Sequence, residues 1–256
     1  MEINRIYNEN CLEGMKEIPD KSIDMILCDL PYQLTKLKWD IIIPFDKLWK
    51  QYERIIKDNG AIVLTAKQPF TSVLLLSNQK LFRYEIIWEK DKGTDFGNAN
   101  RKPLNSHENI LVFYKHQPSY NKQMKPGKPY IKKNYRNNGD DDINFKSDNS
   151  GIWVNKGERT PTTVLKIARD NIYKGTNLHP TQKPVALFEY LIKTYTNPGE
   201  LVLDNCMGSG TTAIACMNTQ RKFIGFELDK GYYDIAYKRI EGQKDKVEDG
   251  DENGNQ

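Results

Sequence analysis

The segment Cys28-Asp29-Leu30-Pro31-Tyr32 brings together residue types that can do chemistry. It follows the apolar run 23–27, so an acid, a proline and an aromatic ring stand where a buried strand should end. Proline restricts the residue before it to extended conformations, which helps to fix the direction of the Leu30 carbonyl. The sequence therefore places a carboxylate, a restricted backbone and an aromatic face at one strand end.

A second segment of this kind is residues 201–212, Leu-Val-Leu-Asp-Asn-Cys-Met-Gly-Ser-Gly-Thr-Thr. An apolar strand ends at Asp204, a turn contains Gly208, Ser209 and Gly210, and a helix begins near Thr211. Glycines let a backbone approach a ligand closely, and a helix N-terminus offers free amide donors. A phosphate-binding loop would need a lysine where this chain has Thr211, and the full GxGxxG spacing is missing as well.

Glu227 ends another apolar run, 222–227, further along the chain. Doubly wound nucleoside-binding folds place an acid at this point, where it binds ribose hydroxyls. Together with the glycine-containing turn, Glu227 favours a ribose-bearing ligand without a pyrophosphate. Taken alone, the glycine-containing turn has the alternative of a tight turn with a helix cap. Taken alone, Glu227 has the alternative of a solvated acid.

The elements that must position these residues alternate along the chain. Strand patterns cover 23–28, 60–66, 84–89, 109–114, 200–204 and 222–227, and helical spacing of apolar residues covers 45–56, 184–195 and 211–219. Such alternation predicts an α/β fold with a doubly wound, mostly parallel sheet, in which ligands bind beyond the carboxyl ends of the strands.

Charge separates one region from the rest. Residues 115–175 hold 13 Lys or Arg against 6 Asp or Glu, although the whole chain of 256 residues carries only +4. This region lacks long apolar periodicity and reads as an irregular insertion. The last fifteen residues, 242–256, have almost no apolar content, which predicts a disordered acidic tail.

Composition excludes several classes of protein. No apolar run reaches the roughly 18 residues of a membrane span, and the N-terminus lacks a secretory signal pattern, so we expect a cytoplasmic protein. The four cysteines, Cys11, Cys28, Cys206 and Cys216, fit no metal-ligand spacing. We expect neither a metal nor disulfides.

Four segments in this order resemble one family. They are Cys28-Asp-Leu-Pro-Tyr32, His179-Pro-Thr-Gln-Lys-Pro184, Asp204-Asn-Cys-Met-Gly-Ser-Gly-Thr-Thr212 and Phe223-Ile-Gly-Phe-Glu-Leu-Asp229. The set is similar to the DNA methyltransferases that transfer a methyl group from S-adenosylmethionine to an exocyclic amine. The catalytic segment comes first, as in the β group of that family, and the resemblance covers residues 5–115 and 176–240.

The resemblance implies a Rossmann-like methyltransferase core and a role for each residue of the first segment. Asp29 and the Leu30 carbonyl would each accept one hydrogen of the 6-amino group of adenine. Pro31 would aim that carbonyl, and Tyr32 would stack on the base after it is flipped out of the duplex. The family more often has proline where this chain has Leu30, but only the backbone carbonyl is required there.

The resemblance also implies a cofactor site for S-adenosylmethionine. Within it, Lys183 would bind the methionine carboxylate, Glu227 the ribose, and Asn10 the region of the adenine ring. The predicted cofactor-binding residues are Asn10, Cys11, Asp29, His179, Thr181, Lys183, Asp204, Gly208, Ser209, Gly210, Thr211 and Glu227. The alternative for Lys183 is a solvated lysine at a helix start.

The basic insertion is interpreted as a target-recognition region for duplex DNA. Lys132, Lys133 and Arg136 are expected to neutralise phosphates, while other side chains read base edges. The alternative is a solvated loop. The predicted organisation is a catalytic half (1–114), the insertion (115–175), a cofactor-binding half of the same core (176–241) and the tail (242–256).

Two other functions stay open from the sequence. Methylation of the 4-amino group of cytosine uses the same scaffold, but that branch usually has serine where this chain has Asp29. An inactive DNA-binding module on the same fold would need a damaged motif, and none is visibly lost. A homodimer is a further expectation, because β-group relatives often dimerise.

Overall fold

The central strands are formed by nearly continuous apolar runs because helices cover the sheet on both faces. In the computed structural model, strand Ile23–Asp29 is buried at residue 23 and from residue 25 to residue 28. The structure describes residues 1–33, 41–133, 152–170 and 182–252. Two compact units are formed, one by residues 1–121 with 163–256 and the other by residues 122–162.

Within the described residues, the strands are β1 (Arg5–Tyr7), β2 (Ile23–Asp29), β3 (Ile56–Ala66), β4 (Phe82–Thr94), β5 (Asn105–Phe113), β6 (Lys125–Pro126), β7 (Tyr130–Lys133), β8 (Ile152–Asn155), β9 (Glu158–Arg159), β10 (Val164–Lys166), β11 (Leu201–Asp204) and β12 (Lys222–Phe226). The helices are α1 (Cys11–Gly14), α2 (Phe45–Ile55), α3 (Phe70–Ser77), α4 (Val185–Tyr195), α5 (Thr211–Asn218) and α6 (Lys230–Glu252).

The larger unit contains one sheet of eight strands in the order β1-β12-β11-β2-β3-β5-β4-β10. The pairs from β1 to β3 are all parallel, as is β4 with β10, whereas β5 is antiparallel to both β3 and β4. The predicted α/β fold with a mostly parallel, doubly wound sheet is therefore confirmed. All six predicted strands are present.

The strand directions bring the chemically interesting residues to one edge. Strands β2, β11 and β12 are parallel, so Asp29, Asp204 and the residue after Phe226 lie at the same carboxyl edge. Because β5 runs in the opposite direction, its first residues lie at this edge too. Asp29 is paired in register with Thr65, near the end of β3.

Alternate side chains of β2 enter two different cores. Met25 and Leu27 pack on one face of the sheet, in a cluster that includes residues of α4, α5 and α6. Ile26 and Cys28 pack on the other face, in a cluster that includes residues of α2 and α3. The sheet is thus covered on both faces. A ligand can therefore reach it at the ends of the strands.

The smaller unit, residues 122–162, contains two short antiparallel ladders among its described residues. Strand β6 pairs with β9, and β7 pairs with β8, where Lys132 lies opposite Trp153. The guanidinium of Arg159 lies 4.9 Å from the centre of the Tyr130 ring. The sequence predicts only irregular structure here, because two- to four-residue strands are too short to show an alternating pattern.

The C-terminal helix differs from the sequence expectation. Helix α6 continues to Glu252, so residues 242–252, predicted as part of a disordered tail, are helical. Its polar residues are good helix formers, and Lys244 pairs with Glu241 at 2.8 Å one turn earlier. The helix begins on the core, where Ala236 and Ile240 are buried, and continues into mostly polar residues.

Across the described part of the chain, no helix is long and apolar enough to cross a membrane. The same residues contain no group of three or more His, Cys, Asp or Glu side chains that could hold a metal ion. All four cysteines are free thiols.

Candidate active site at the carboxyl edge of the sheet

Asp29 is the last residue of β2 and holds a dense set of hydrogen bonds. Its Oδ1 accepts from the hydroxyls of Tyr32 and Thr65, and its Oδ2 accepts from Lys183 Nζ at 2.6 Å. The Tyr32 and Thr65 hydroxyls lie 3.0 Å apart. About a quarter of the Asp29 side chain is exposed, 24%. The carboxylate is thus fixed in direction yet reachable from the edge of the sheet.

The residues after Asp29 fold back over the sheet. Leu30 is buried, and the Tyr32 ring stacks on Phe70 with 5.0 Å between ring centres and 28° between planes. Burial, followed by the nearby charge of Asp29, raises the pKa of Tyr32 well above its ordinary value. Tyr32 is therefore a neutral hydroxyl that donates to Asp29.

Lys183 lies deeper than a lysine at a helix start normally does. Its side chain is only 6% exposed, and its ammonium contacts Asp29 at 2.6 Å and Glu108 at 3.2 Å. Burial alone would lower the pKa of Lys183, but the two carboxylates raise it above its ordinary value. Lys183 is therefore a charged, buried group, which excludes the solvated-lysine alternative.

Glu108 and Lys90 complete this arrangement, and sequence reasoning missed both. Lys90 Nζ lies 2.6 Å from Glu108 Oε1, and their side chains are 6% and 12% exposed. Burial would raise the pKa of Glu108, but Lys183 and Lys90 together lower it. We call Lys90, Glu108, Lys183 and Asp29 the buried charge chain. Glu108 could have been noticed as an acid that directly precedes an apolar strand run.

Asp204 anchors the turn after β11. The Asp204 side chain is buried, and it accepts hydrogen bonds from the Cys206 amide at 3.0 Å and from the Thr212 hydroxyl. Burial raises the pKa of Asp204 to about 6, against the effect of these hydrogen bonds. Both carboxylate oxygens accept a hydrogen bond, one from the turn and one from helix α5, so Asp204 connects the turn to that helix.

The turn itself depends on two glycines in the left-handed region. Gly208 has φ +54°, and Gly210 has φ +84° as the residue that precedes α5. A Cβ at Gly210 would lie 3.2 Å from the Cβ of Ala236, whereas a Cβ at Gly208 would meet nothing within 4 Å. The Ser209 hydroxyl lies 2.9 Å from Gln182 Oε1. We call residues 204–211 the glycine turn.

Glu227, directly after β12, connects the two strand ends. Its carboxylate accepts from the Gly208 amide and from the Asp229 amide, each at 2.8 Å. Burial raises the pKa of Glu227. The side chain is half-buried, beside the open space next to Gly208. Glu227 therefore ties the glycine turn to the residues that follow β12.

The other residues predicted to bind the cofactor or DNA lie at the start of α1, on β7 or outside the described residues. Asn10 caps α1 by accepting from the Leu12 amide at 2.9 Å, and Cys11 Sγ lies 3.7 Å from Asn205 Nδ2. Lys132 is exposed on β7 of the smaller unit, and Lys133 ends the same strand. His179, Thr181 and Arg136 lie outside the described residues.

Comparison with known proteins gives a consistent result. A family model described as DNA methylase matches residues 23–238. The type II methyltransferase M.BglII of Bacillus subtilis is 30% identical, with 95% of this chain and 71% of that protein covered. The DNA adenine methyltransferase YhdJ of Escherichia coli (strain K12) is 28% identical, with 94% and 83% covered.

Solved structures agree with the sequence relatives. The crystal structure of the M1.HpyAVI–SAM complex has a TM-score of 0.61 at 27% identity, covering 92% of this chain and 98% of that one. The cytosine-N4-specific PvuII DNA methyltransferase has a TM-score of 0.65 at 18% identity, covering 91% and 84%, which shows a common fold. The chain belongs to the DNA methylase family and is an S-adenosylmethionine-dependent DNA methyltransferase.

Proposed function

We propose that this methyltransferase modifies the 6-amino group of adenine in duplex DNA, and that Asp29 is the residue on which the reaction depends. The supporting observation is the Asp29 carboxylate, held by three hydrogen-bond donors at the end of β2 and still partly exposed. The cytosine branch usually has serine at this position. The relative YhdJ, which is named as a DNA adenine methyltransferase, supports adenine as the target base.

The chemical problem is the weak nucleophile. The lone pair of an aromatic amine is delocalised into the ring, so the protein must localise it on nitrogen. Asp29 and the Leu30 carbonyl each accept a hydrogen bond from one N–H of the amine. These two bonds draw the nitrogen toward a tetrahedral geometry. S-adenosylmethionine supplies the methyl group on a sulfonium, whose sulfur takes the electron pair of the broken bond. The nitrogen loses a proton, which passes to Asp29 or to solvent.

Placement contributes most of the rate. Pro31 restricts Leu30, and the contacts of Tyr32 with Asp29, Thr65 and Phe70 keep the whole segment rigid. Rigid alignment of two reacting groups converts a bimolecular step into an effectively unimolecular one. The Tyr32 ring is the proposed stacking partner of the flipped base, a step that costs a few kcal/mol.

The proposed cofactor contacts follow the same edge of the sheet. Glu227 would accept hydrogen bonds from the ribose hydroxyls, and Lys183 would pair with the methionine carboxylate. The positive-φ glycines of the glycine turn let the backbone approach the ligand without a Cβ. We propose Asn10, Cys11, His179 and Thr181 as further cofactor-binding residues, on the basis of the family resemblance.

The smaller unit and the rest of the insertion are proposed to bind DNA. Lys132, Lys133 and Arg136 would neutralise phosphates and hold the protein in register on the duplex. We also propose a cytoplasmic enzyme that forms a homodimer, on the basis of the family resemblance. Size-exclusion chromatography with light scattering measures the second of these directly.

The test of the proposed function is the substitution Asp29→Ala. The purified variant should lose methyl transfer to DNA, by at least about a thousandfold, while binding S-adenosylhomocysteine within about tenfold of wild type in calorimetry. Asp58→Ala is the matched control, because Asp58 forms exposed ion pairs with Lys21 and Lys115. Its transfer rate should equal that of wild type.

Single-molecule sequencing of DNA from a host that expresses the chain identifies the modified base. Methylated adenine at a fixed site supports the proposal. Methylated cytosine would replace it with the cytosine alternative, and a near wild-type rate for Asp29→Ala would remove Asp29 from the reaction.

A further inference from the structure

Glu108 lies between two buried lysines and connects them. Its Oε1 is 2.6 Å from Lys90 Nζ, and its Oε2 is 3.2 Å from Lys183 Nζ. Lys183 in turn contacts Asp29 at 2.6 Å. The four charges alternate in sign and sum to zero. Such a row is stable only as a whole, because removing one member leaves a buried charge without its partner.

The two oxygens of Glu108 are used unequally. Among the buried side-chain nitrogen and oxygen atoms of the described residues, Glu108 Oε2 alone has no directed hydrogen bond. It has charge contact with Lys183 but leaves acceptor capacity unused. Lys183 has its shorter contact with Asp29, so the lysine can move toward Glu108 without losing its ion pairing.

This unused capacity bears on what Asp29 must do. Its carboxylate already accepts from Tyr32, Thr65 and Lys183, and it must also accept from the amine of the target base. Oδ1 accepts two of these bonds and Oδ2 accepts the one from Lys183, so weakening the Lys183 contact would free Oδ2 to turn toward the amine. A lysine released from Asp29 needs other anions, because a buried unpaired charge is strongly unfavourable. The methionine carboxylate proposed above would be one, and Glu108, already 3.2 Å away, is the one that the protein itself supplies.

We propose that Glu108 is a positioning residue for methyl transfer, which takes over Lys183 so that the Asp29 carboxylate can accept a hydrogen of the target amine. The proposal rests on the proposed function of Asp29. Lys90 holds Oε1 of Glu108 and leaves Oε2 directed at Lys183. Glu108 thus acts through Lys183 and touches no reacting atom.

The substitution Glu108→Gln tests this, because it keeps the shape and removes the charge. We expect the single-turnover rate of methyl transfer to fall by about tenfold or more at saturating cofactor. The dissociation constant for S-adenosylhomocysteine, measured by calorimetry, should stay within threefold of wild type. Glu89→Gln is the matched control, since Glu89 lies on β4 and pairs with Lys166 in a solvent-exposed contact at 3.1 Å. It should change neither quantity.

Two results for Glu108→Gln overturn the proposal. A Glu108→Gln rate within threefold of wild type means that Asp29 does not need Glu108, even if the melting temperature falls. A loss of cofactor affinity as large as the loss of rate means that Glu108 serves cofactor binding. If Glu108→Gln does not fold, Glu108→Asp replaces it, with an expected rate loss of at least threefold, and a wild-type rate then refutes the role.

The design separates this inference from the proposed function. If wild type transfers no methyl group to adenine, the proposed function fails and the role of Glu108 fails with it. If wild type methylates adenine and Glu108→Gln is equally fast, only the inference about Glu108 fails.

Discussion

Two groups of carboxylates lie at the same edge of the sheet and are held in different ways. In the buried charge chain, Asp29 and Glu108 are paired with ammonium groups. Around the glycine turn, Asp204 and Glu227 accept from backbone amides and a threonine hydroxyl, with no cation among these contacts. The consequence appears in protonation: the pKa of Glu108 is lowered despite burial, whereas that of Asp204 is raised to about 6.

The difference fits the roles proposed for these groups. The Asp29 carboxylate, proposed to take part in the reaction, must be able to exchange partners, and Lys183 beside it has a second anion, Glu108, to pair with. Asp204 holds a loop, for which fixed donors are enough, and neutral ones suffice. Burial alone therefore does not predict the charge state of an acid at this edge; the nature of its partners does.

The largest expected effect comes from removing the cation that joins the two acids. Lys183→Met keeps a long unbranched side chain, but it leaves Glu108 paired with Lys90 alone and removes the ammonium that pairs with Asp29. Breaking a buried pair typically costs 3–5 kcal/mol, so urea unfolding should show a loss of about that size. Lys16→Met is the control, because Lys16 pairs with Glu13 in a solvent-exposed contact at 2.6 Å and should cost at most about 1 kcal/mol. Equal losses of unfolding free energy in the two variants would contradict the distinction between buried and exposed ion pairs.

A smaller effect should appear when pH is varied at the glycine turn. The folded pKa of Asp204, about 6, lies above its ordinary value of 3.8, so the folded state binds this proton more tightly. The contribution of Asp204 to stability therefore rises as pH falls from 7 to 5, by roughly 1–2 kcal/mol. Asp204→Asn keeps the shape and should lack this dependence. Denaturation of both proteins at pH 5 and 7 measures the difference, and parallel pH curves would contradict the assignment.

The smallest effect is expected for a change that leaves every charge and every hydrogen bond in place. Gly208→Ala keeps the amide that donates to Glu227 and meets no atom within 4 Å, but it puts a Cβ on a residue with φ +54°. The expected destabilisation is about 1 kcal/mol. Gly210→Ala should cost more, because its Cβ would also press on Ala236. A reversed order would show that backbone strain does not govern the turn.

The sequence predicted the long elements because each carries its own signal. The six predicted strands are apolar runs, and the segments 45–56, 184–195 and 211–219 show helical spacing. Strands β1 and β10 are three residues each, too short for any pattern. Helix α3 is apolar on nearly every side, so its period is hidden.

The candidate site was predictable only in part, for a similar reason. Asp29, the glycine turn and Glu227 stand out because strand ends and turns are visible in one dimension. Lys183 and Asp29 are 154 positions apart, and Glu108 meets Lys90 through antiparallel pairing of β4 and β5. Such contacts depend on strand order, which residue types do not reveal.

The strand order also determines when each strand can pair with its neighbour during translation. Strands β11 and β12 lie between β1 and β2, although they are made last. As the chain leaves the ribosome from its N-terminus, one edge of β2 has no neighbour until the whole insertion and α4 have been translated. Unpaired apolar edges are templates for wrong pairing between chains. The sheet that carries Asp29 is therefore completed only when the last strands, β11 and β12, have been made.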